Sequence, residues 1–279
     1  MIKTARQLKD LIRNVAKGDS GKSQLLFRNY AMERFLERIA LSKYRNNFIL
    51  KGGMLVSSIV GLDMRATMDM DATILNLPLN PEHARIIVED ITAIEIGDNM
   101  AFSVKDISNI MDEADYICVR LSLEALLENM RIPFRIDIST GDSIIPKEIT
   151  YSYKLMFEHR YIPIRAYSLE TILAEKIETV LIRTIFNTRL RDFYDIYILQ
   201  NTRMDIDINI LTVALTATCR NRNSEKVLTD YRYILKEIEN NPTMREFWIS
   251  YQRKNSYAAD ITWETVIKSI RALCDSCIL

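Results

Sequence analysis

Glycine and proline are scarce in this chain: seven and six among 279 residues. Few loops can therefore serve as hinges, and no Gly- or Ser-rich linker, internal repeat or low-complexity tract is evident. Net charge is lacking too, because 37 Lys and Arg balance 37 Asp and Glu. A neutral chain has no global attraction for a polyanion, so any nucleic-acid contact must come from a local basic patch. Only four cysteines occur, Cys118, Cys219, Cys274 and Cys277. The last two form a Cys-x-x-Cys with no βαβ context around it and no second pair to complete a zinc site, which argues against redox or metal roles. No run of about 18 apolar residues exists, and the first turns are charged rather than apolar. The expectation is a cytoplasmic protein without a membrane span. With 48% hydrophobic and 27% charged residues, the chain can build one large core or two smaller ones.

The most informative stretch begins at Lys51-Gly52-Gly53. Apolar Phe48-Ile49-Leu50 leads into the two glycines, and an apolar helical segment, Met54 to Gly61, follows. Then comes Thr67-Met68-Asp69-Met70-Asp71. Strand alternation projects Asp69 and Asp71 from one face. Two carboxylates at that spacing repel unless a divalent cation lies between them, and hard oxygen donors suit Mg²⁺. The glycines let backbone approach a phosphate, and the following helix offers its first N–H groups to an anion. An isolated Asp-x-Asp is more often a solvated strand edge, and Gly-Gly alone marks a turn. Their order, with a helix between, is what a phosphate-and-metal site requires, and it suggests nucleotidyl transfer. A third acid, Asp137, alternates against Ile136 and Ile138 in Phe134-Arg135-Ile136-Asp137-Ile138. An acid inside a β-rich run needs a reason, and metal ligation and exposure to water are both open.

Five short segments, in order, resemble the AbiEii/AbiGii toxin family of nucleotidyltransferases within the DNA polymerase β-like superfamily. They are Leu50-Lys51-Gly52-Gly53, Arg65-Ala66-Thr67-Met68-Asp69-Met70-Asp71, Arg135-Ile136-Asp137-Ile138, Ala174-Glu175-Lys176 and Arg189-Leu190-Arg191-Asp192-Phe193-Tyr194-Asp195. The likeness extends from about Tyr30 to Tyr197. It implies that Asp69, Asp71 and Asp137 hold metal, that Lys176 meets the triphosphate and that Asp192 sits at the active centre. It further implies an RNA acceptor, plausibly the 3′ end of a transfer RNA. Modification of that end would stop translation, the work of a toxin in abortive infection and phage defence. A DNA-binding repressor would be the antitoxin partner. The chain departs from the family in one place: Met54 follows the glycines where Ser or Thr is frequent, and Ser57 or Ser58 is the candidate substitute for that phosphate-binding hydroxyl.

Periodicity organises the rest. Leu8, Leu11, Ile12 and Val15 predict an amphipathic helix near Thr4 to Lys17, and Leu25, Leu26, Tyr30, Phe35, Leu36 and Ile39 predict a second to Leu41. The turn between them, Ala16-Lys17-Gly18-Asp19-Ser20-Gly21-Lys22-Ser23, fits a relaxed P-loop pattern, but a helix rather than a strand precedes it, so a helix connection is expected. A helix over Pro81 to Ile96 follows. Strands are expected over Met100 to Lys105, Tyr116 to Leu123 and Ile132 to Ser139, with further β structure at Tyr151 to Tyr153 and Tyr161 to Arg165. From Ser168, a plausible N-cap, the pattern is helical nearly to the end. The expected fold is therefore α+β: a polymerase β-like mixed sheet with flanking helices (residues 1–167) and a helical C-terminal half (residues 168–279).

Within that half, Lys176 lies beside the apolar stripe of Leu169 to Arg183, either reaching into a cleft or snorkelling to the surface. Arg191 and Asp195 stand at the i, i+4 spacing of an ion pair, which makes Asp195 structural and Asp192 the better functional candidate. Arg183, Arg189 and Arg191 form a candidate RNA patch. Arg220, Arg222, Lys226 and Arg232, with Tyr231 and Tyr233, form a second. Two other classes stay open at this point. A metal-dependent nuclease could use the same aspartates with water as nucleophile, and a regulator that has lost catalysis could hold nucleotide or RNA.

Overall fold

A computed structural model describes residues 1–111, 117–203 and 205–278. The chain divides into two compact units. The first comprises Met1–Ile59, Ala66–Gly141 and Ile149–Ala166, and the second Val60–Arg65, Asp142–Glu148 and Tyr167–Leu279.

The first unit opens with α1 (Ala5–Ala16), capped by Thr4, whose hydroxyl accepts from the Gln7 N–H at 3.3 Å. Leu8 and Ile12 are fully buried, but Leu11 and Val15 are exposed, contrary to the four-residue stripe expected from spacing. Four apolar residues cover a wider arc of the helix than its neighbours reach, so only the central line is buried. Lys17 ends the helix in the left-handed region at φ 50°, and Asp19 caps α2 (Ser20–Leu41) by accepting from the Lys22 N–H at 2.9 Å. The glycine-containing turn is thus a helix connection with no strand feeding it.

α2 is buried around nearly its whole circumference from Asn29 to Ile39, charged residues included. Phe35 meets the rings of Phe102 and Phe134 at 6.0 and 6.2 Å. Arg38, 2% exposed, clasps Asp98 with two bonds of 2.9 and 2.8 Å and donates to the Met100 carbonyl at 2.9 Å. Arg34 is fully buried among Glu33, Glu37 and Glu158. Burial pushes the Glu33 carboxyl up to about 7 against the pull of Arg34.

The sheet runs β3-β4-β5-β2-β1-β7-β6, with β1 (Phe48–Lys51), β2 (Asp69–Ile74), β3 (Met100–Met111), β4 (Ile117–Leu127), β5 (Met130–Ser139), β6 (Ile149–Lys154) and β7 (Tyr161–Ala166). It is mixed: β2 pairs parallel to β5 and β1 parallel to β7, while the other ladders are antiparallel. Between β1 and β2 lies α3 (Gly52–Val60), and between β2 and β3 lies α4 (Pro81–Thr92) behind an Asn80 cap. α4 stops short of the expected Ile96 because its end tightens into an Ile94-to-Ile91 bond and Gly97 turns to φ 74°. β3 outruns its expected end at Lys105, since pairing with β4 carries it past a bulge between Val104 and Asp106 despite its polar sequence there. Tyr116, the expected start of the next strand, lies outside the described residues.

The second unit holds α5 (Leu169–Arg183), α6 (Leu190–Thr202), α7 (Ile208–Asn221), α8 (Lys226–Asn240), α9 (Pro242–Lys254) and α10 (Trp263–Cys277). Ser168 caps α5, accepting from Thr171 at 3.2 Å, and Asp207, Asn241 and Thr262 cap α7, α9 and α10. Its core joins Trp248, Trp263, Phe193, Tyr194, Tyr251 and Tyr257. Cys274 and Cys277 are free and buried, and burial raises the Cys277 thiol to about 11. The α+β class is that expected from the strand-then-helix order.

Arg38→Met should lower the stability of the protein by about 3 kcal/mol, because Asp98 is left as a buried, unpaired charge. Arg38→Met with Asp98→Leu should recover much of the loss. Urea midpoints of the two variants against wild type decide the matter; equal midpoints for single and double variants would show that the pair is not the cause.

Candidate functional site

The acids of the first unit are positioned by strand register. Asp71 on β2 stands opposite Lys51 on β1 and Asp137 on β5, and Asp137 stands opposite Arg120 on β4. Cross-strand partners project to one face, so the sheet carries a row Arg120, Asp137, Asp71, Lys51. One step along, Asp69 faces Arg135 on the same side. Met70, Ala72, Ile136 and Ile138 point the other way and are fully buried, which fixes the register that exposes the acids. Two adjacent carboxylates repel, and a base flanks them at each end.

Asp137 was open between metal and water on sequence grounds; its actual partner is Arg120. Nε and Nη2 donate to its two oxygens at 2.8 and 2.6 Å, and these bonds hold the guanidinium above its usual pKa. Among the described residues no three His, Cys, Asp or Glu side chains gather as a preformed metal cage. Carboxylate oxygen is the donor that a hard cation takes, and Asp69, Asp71 and Asp137 share one sheet face, but Asp137 has to give up Arg120 to join the other two.

Asp71 is also locked to the glycine turn. Its Oδ2 accepts from the Gly53 N–H at 3.2 Å, so the carboxylate sits at the start of α3, where the helix dipole favours negative charge. Gly52 has φ 62°, and a Cβ there would lie 2.1 Å from that same oxygen and 2.7 Å from the Asp71 Cβ. No other residue fits. The strand entry is braced in turn: Thr67 donates to the Asp69 carbonyl at 3.1 Å, and Asn29 donates to the Thr67 carbonyl at 3.0 Å.

Neither Ser57 nor Ser58 takes the place of the hydroxyl that Met54 lacks. Met54 is a core residue, 1% exposed. Ser57 is buried and donates back to the Gly53 carbonyl at 2.9 Å, and Ser58 likewise donates to Leu55 at 2.7 Å. Ser57 is thus turned onto its own helix, and Ser58 also meets the Tyr151 hydroxyl of β6 at 3.2 Å.

In the second unit, Lys176 is 11% exposed at its side chain and lies 2.7 Å from both Asp192 and Asp195. It is not a snorkelling lysine. Burial works against its charge, but Asp192 and Asp195 outweigh that and raise its pKa. Asp195 is fully buried and accepts from Arg65 at 2.7 and 3.1 Å. Burial disfavours the charged carboxylate, yet Arg65 and then Lys176 prevail and hold it at about 2. Asp195 therefore braces an arginine, but Arg65 rather than Arg191, which is exposed. A fully buried carboxylate needs buried cations, and the i, i+4 rule sees only its own helix.

Arg189 and Arg191 are exposed and Arg183 is half-buried. In the second basic patch, Arg222 is bound to Glu178 and Glu175 at 2.7 and 3.2 Å, and Arg232 pairs with Asp275 at 3.3 Å. Salt bridges thus occupy much of that patch. Arg120 and Arg65 are the two site arginines that sequence reading passed over. Arg120 carried a faint signal as a charge in an alternating apolar strand, and Arg65 as the head of the Asp-x-Asp run.

A mixed sheet with an acid row beside a glycine turn and a helix start is the arrangement of a nucleotidyltransferase, and comparison supports the class. A sequence profile described as "Nucleotidyl transferase AbiEii toxin, Type IV TA system" matches residues 34–269. The chain belongs to this family of toxin–antitoxin nucleotidyltransferases. Two crystal structures from Helicobacter pylori share the fold, one of a candidate nucleotidyltransferase and one of JHP933. Each is 15% identical with TM-score 0.54 and 90% of this chain covered, with 93% and 90% of the respective neighbour covered. No significant match among curated proteins accompanies them.

Gly52→Ala and Gly18→Ala both place a side chain at positive φ, at roughly 1 kcal/mol each. Only at Gly52 would the new Cβ meet Asp71; at Gly18 nothing lies within 4 Å. Gly52→Ala should therefore cost clearly more in thermal midpoint and abolish nucleotide transfer, while Gly18→Ala keeps it. Equal effects would mean that the contact with Asp71 is unimportant.

The Asp195 carboxyl, held at about 2 against an ordinary 3.8, contributes stability that is present above the ordinary value. That contribution is lost as pH falls toward about 2. Asp195→Asn should melt earlier at neutral pH and lose this acid-range slope. Thermal midpoints measured from neutral to acid pH test it, and parallel curves for both proteins would contradict it.

Proposed function

We propose that this protein is a Mg²⁺-dependent toxin that transfers a nucleotide from a nucleoside triphosphate to an RNA acceptor, the 3′ end of a tRNA. The observation carrying this reading is the acid row of Asp71 and Asp137, with Asp69 on the same face, beside the Gly52-Gly53 start of α3.

The acceptor hydroxyl attacks the α-phosphorus in line. The new P–O bond forms as the α–β anhydride bond breaks, and pyrophosphate leaves. Asp69 and Asp71, with Asp137, would hold the metal, which stabilises the attacking and leaving oxygens when bound. The Gly52-Gly53 backbone holds the triphosphate from the metal side, since the bare Gly52 is what lets the Asp71 carboxylate lie against the turn. Lys176 neutralises charge on the leaving phosphates, and Asp192, fixed by its 2.7 Å bridge to Lys176, orients the acceptor hydroxyl or takes its proton. Arg183, Arg189 and Arg191 contact the RNA backbone. Membership of a type IV toxin–antitoxin family implies an antitoxin partner. No described helix is long and apolar enough to cross a membrane, and the cytosol is where such a nucleotide and RNA would be met.

Incubation of purified protein with total RNA and each α-labelled triphosphate in Mg²⁺ tests the reading. Label should enter RNA with wild type, vanish with Asp71→Ala despite an intact fold, and persist with Lys22→Ala. Transfer by folded Asp71→Ala would remove the acid row from catalysis, and loss in Lys22→Ala would move the phosphate site to the first helix connection.

A further inference from the structure

Phe186 is 82% exposed, more than any other large apolar side chain among the described residues. It ends a single 3₁₀ turn, Thr184–Phe186, that joins α5 to α6 and packs against α8. The turn is braced. Asn187 is fully buried, its amide donates to the Thr179 carbonyl at 3.4 Å, and its oxygen accepts from the Arg189 N–H at 2.8 Å. Thr184, β-branched, is held at φ 50° and ψ −137°. A flexible loop would fold its ring back onto the protein; this one displays it.

The charged residues near the ring in sequence are all basic. Ile182 to Arg191 contains three arginines and no acid. Arg189 and Arg191 are exposed and have no carboxylate partner among the described residues. Ile182, 48% exposed, is the other exposed large apolar residue within this run. A protein-binding hot spot is seated in a packed pocket behind a rim that keeps water out, and a ring 82% exposed has no such pocket around it. An exposed aromatic in a short run whose only charges are arginines is instead the chemistry that holds single-stranded nucleic acid, the base stacked on the ring and the flanking phosphates on the cations. Paired duplex bases would have no free face to offer.

The geometry points to Phe186 as a stacking platform for an unpaired base of the RNA acceptor, with Arg189 and Arg191 on the adjacent phosphates. Asp192 lies in the first turn of α6, just beyond these arginines, and its bridge to Lys176 ties that turn to α5. The platform thus belongs to the same stretch of chain as the proposed acceptor-orienting acid, and it rests on the RNA reading above.

Two probes separate stacking from charge: a short labelled single-stranded RNA, and an abasic strand of equal length. Phe186→Ala should bind the RNA about tenfold more weakly, with its salt dependence and its affinity for the abasic strand unchanged. Arg189→Gln with Arg191→Gln should weaken both probes and flatten the salt slope by roughly 0.7 per lost phosphate contact. Phe186→Trp should keep the affinity, and its emission should be quenched by RNA but not by the abasic strand. The native Trp248 and Trp263, 1% and 4% exposed, are shielded from the ligand. If Phe186→Ala binds RNA as wild type does while the arginine variant is weakened, the platform is refuted, the RNA reading survives, and the ring is left for a protein contact. Binding of neither probe by the wild type would refute both.

Discussion

The contact between Asp71 and the glycine turn is the constraint on which the candidate site depends. One carboxylate lies against the Gly52 Cα and accepts from the Gly53 N–H, so the end of β1, the start of α3 and the middle of β2 share one point. Register does the rest. Once Asp71 is fixed, Asp69 lies two residues back on the same face and Asp137 directly alongside on β5. The contact also helps an acid survive at this position, because helix-start N–H groups supply the positive end of a dipole.

Each unit sets arginine and acid together in its interior. Arg38 and Asp98 tie α2 to the start of β3 in the first unit, and Arg65, Asp195 and Lys176 gather before and within the helices of the second. Such groups add little net stability over an apolar core, but they tolerate few alternative arrangements. In the second unit the same lysine that neutralises Asp195 also fixes Asp192.

The features legible in the sequence were those written in local order. Glycines, helix and alternating acids lie within some twenty residues, and the α+β class follows from strands preceding helices. What escaped depended on partners distant in sequence. Arg120 meets Asp137 only through the β4–β5 register, and Asp195 finds Arg65 across 130 positions while spacing proposed Arg191. Ser57 looked like a spare hydroxyl until the burial of α3 turned it inward. Leu11 and Val15 show the same limit: periodicity marks a face, and neighbours decide how much of it is covered.

The parallel pairing of β2 with β5 and of β1 with β7 has a consequence for the order of synthesis. A growing chain that has delivered both glycines, Asp69 and Asp71 has not yet made either flanking strand, and β7 is completed only at Ala166. Contacts so distant along the chain are among the slow ones in folding. The acid row is a property of the finished sheet, so a ribosome-bound fragment carries the recognisable motif before its acids can line up.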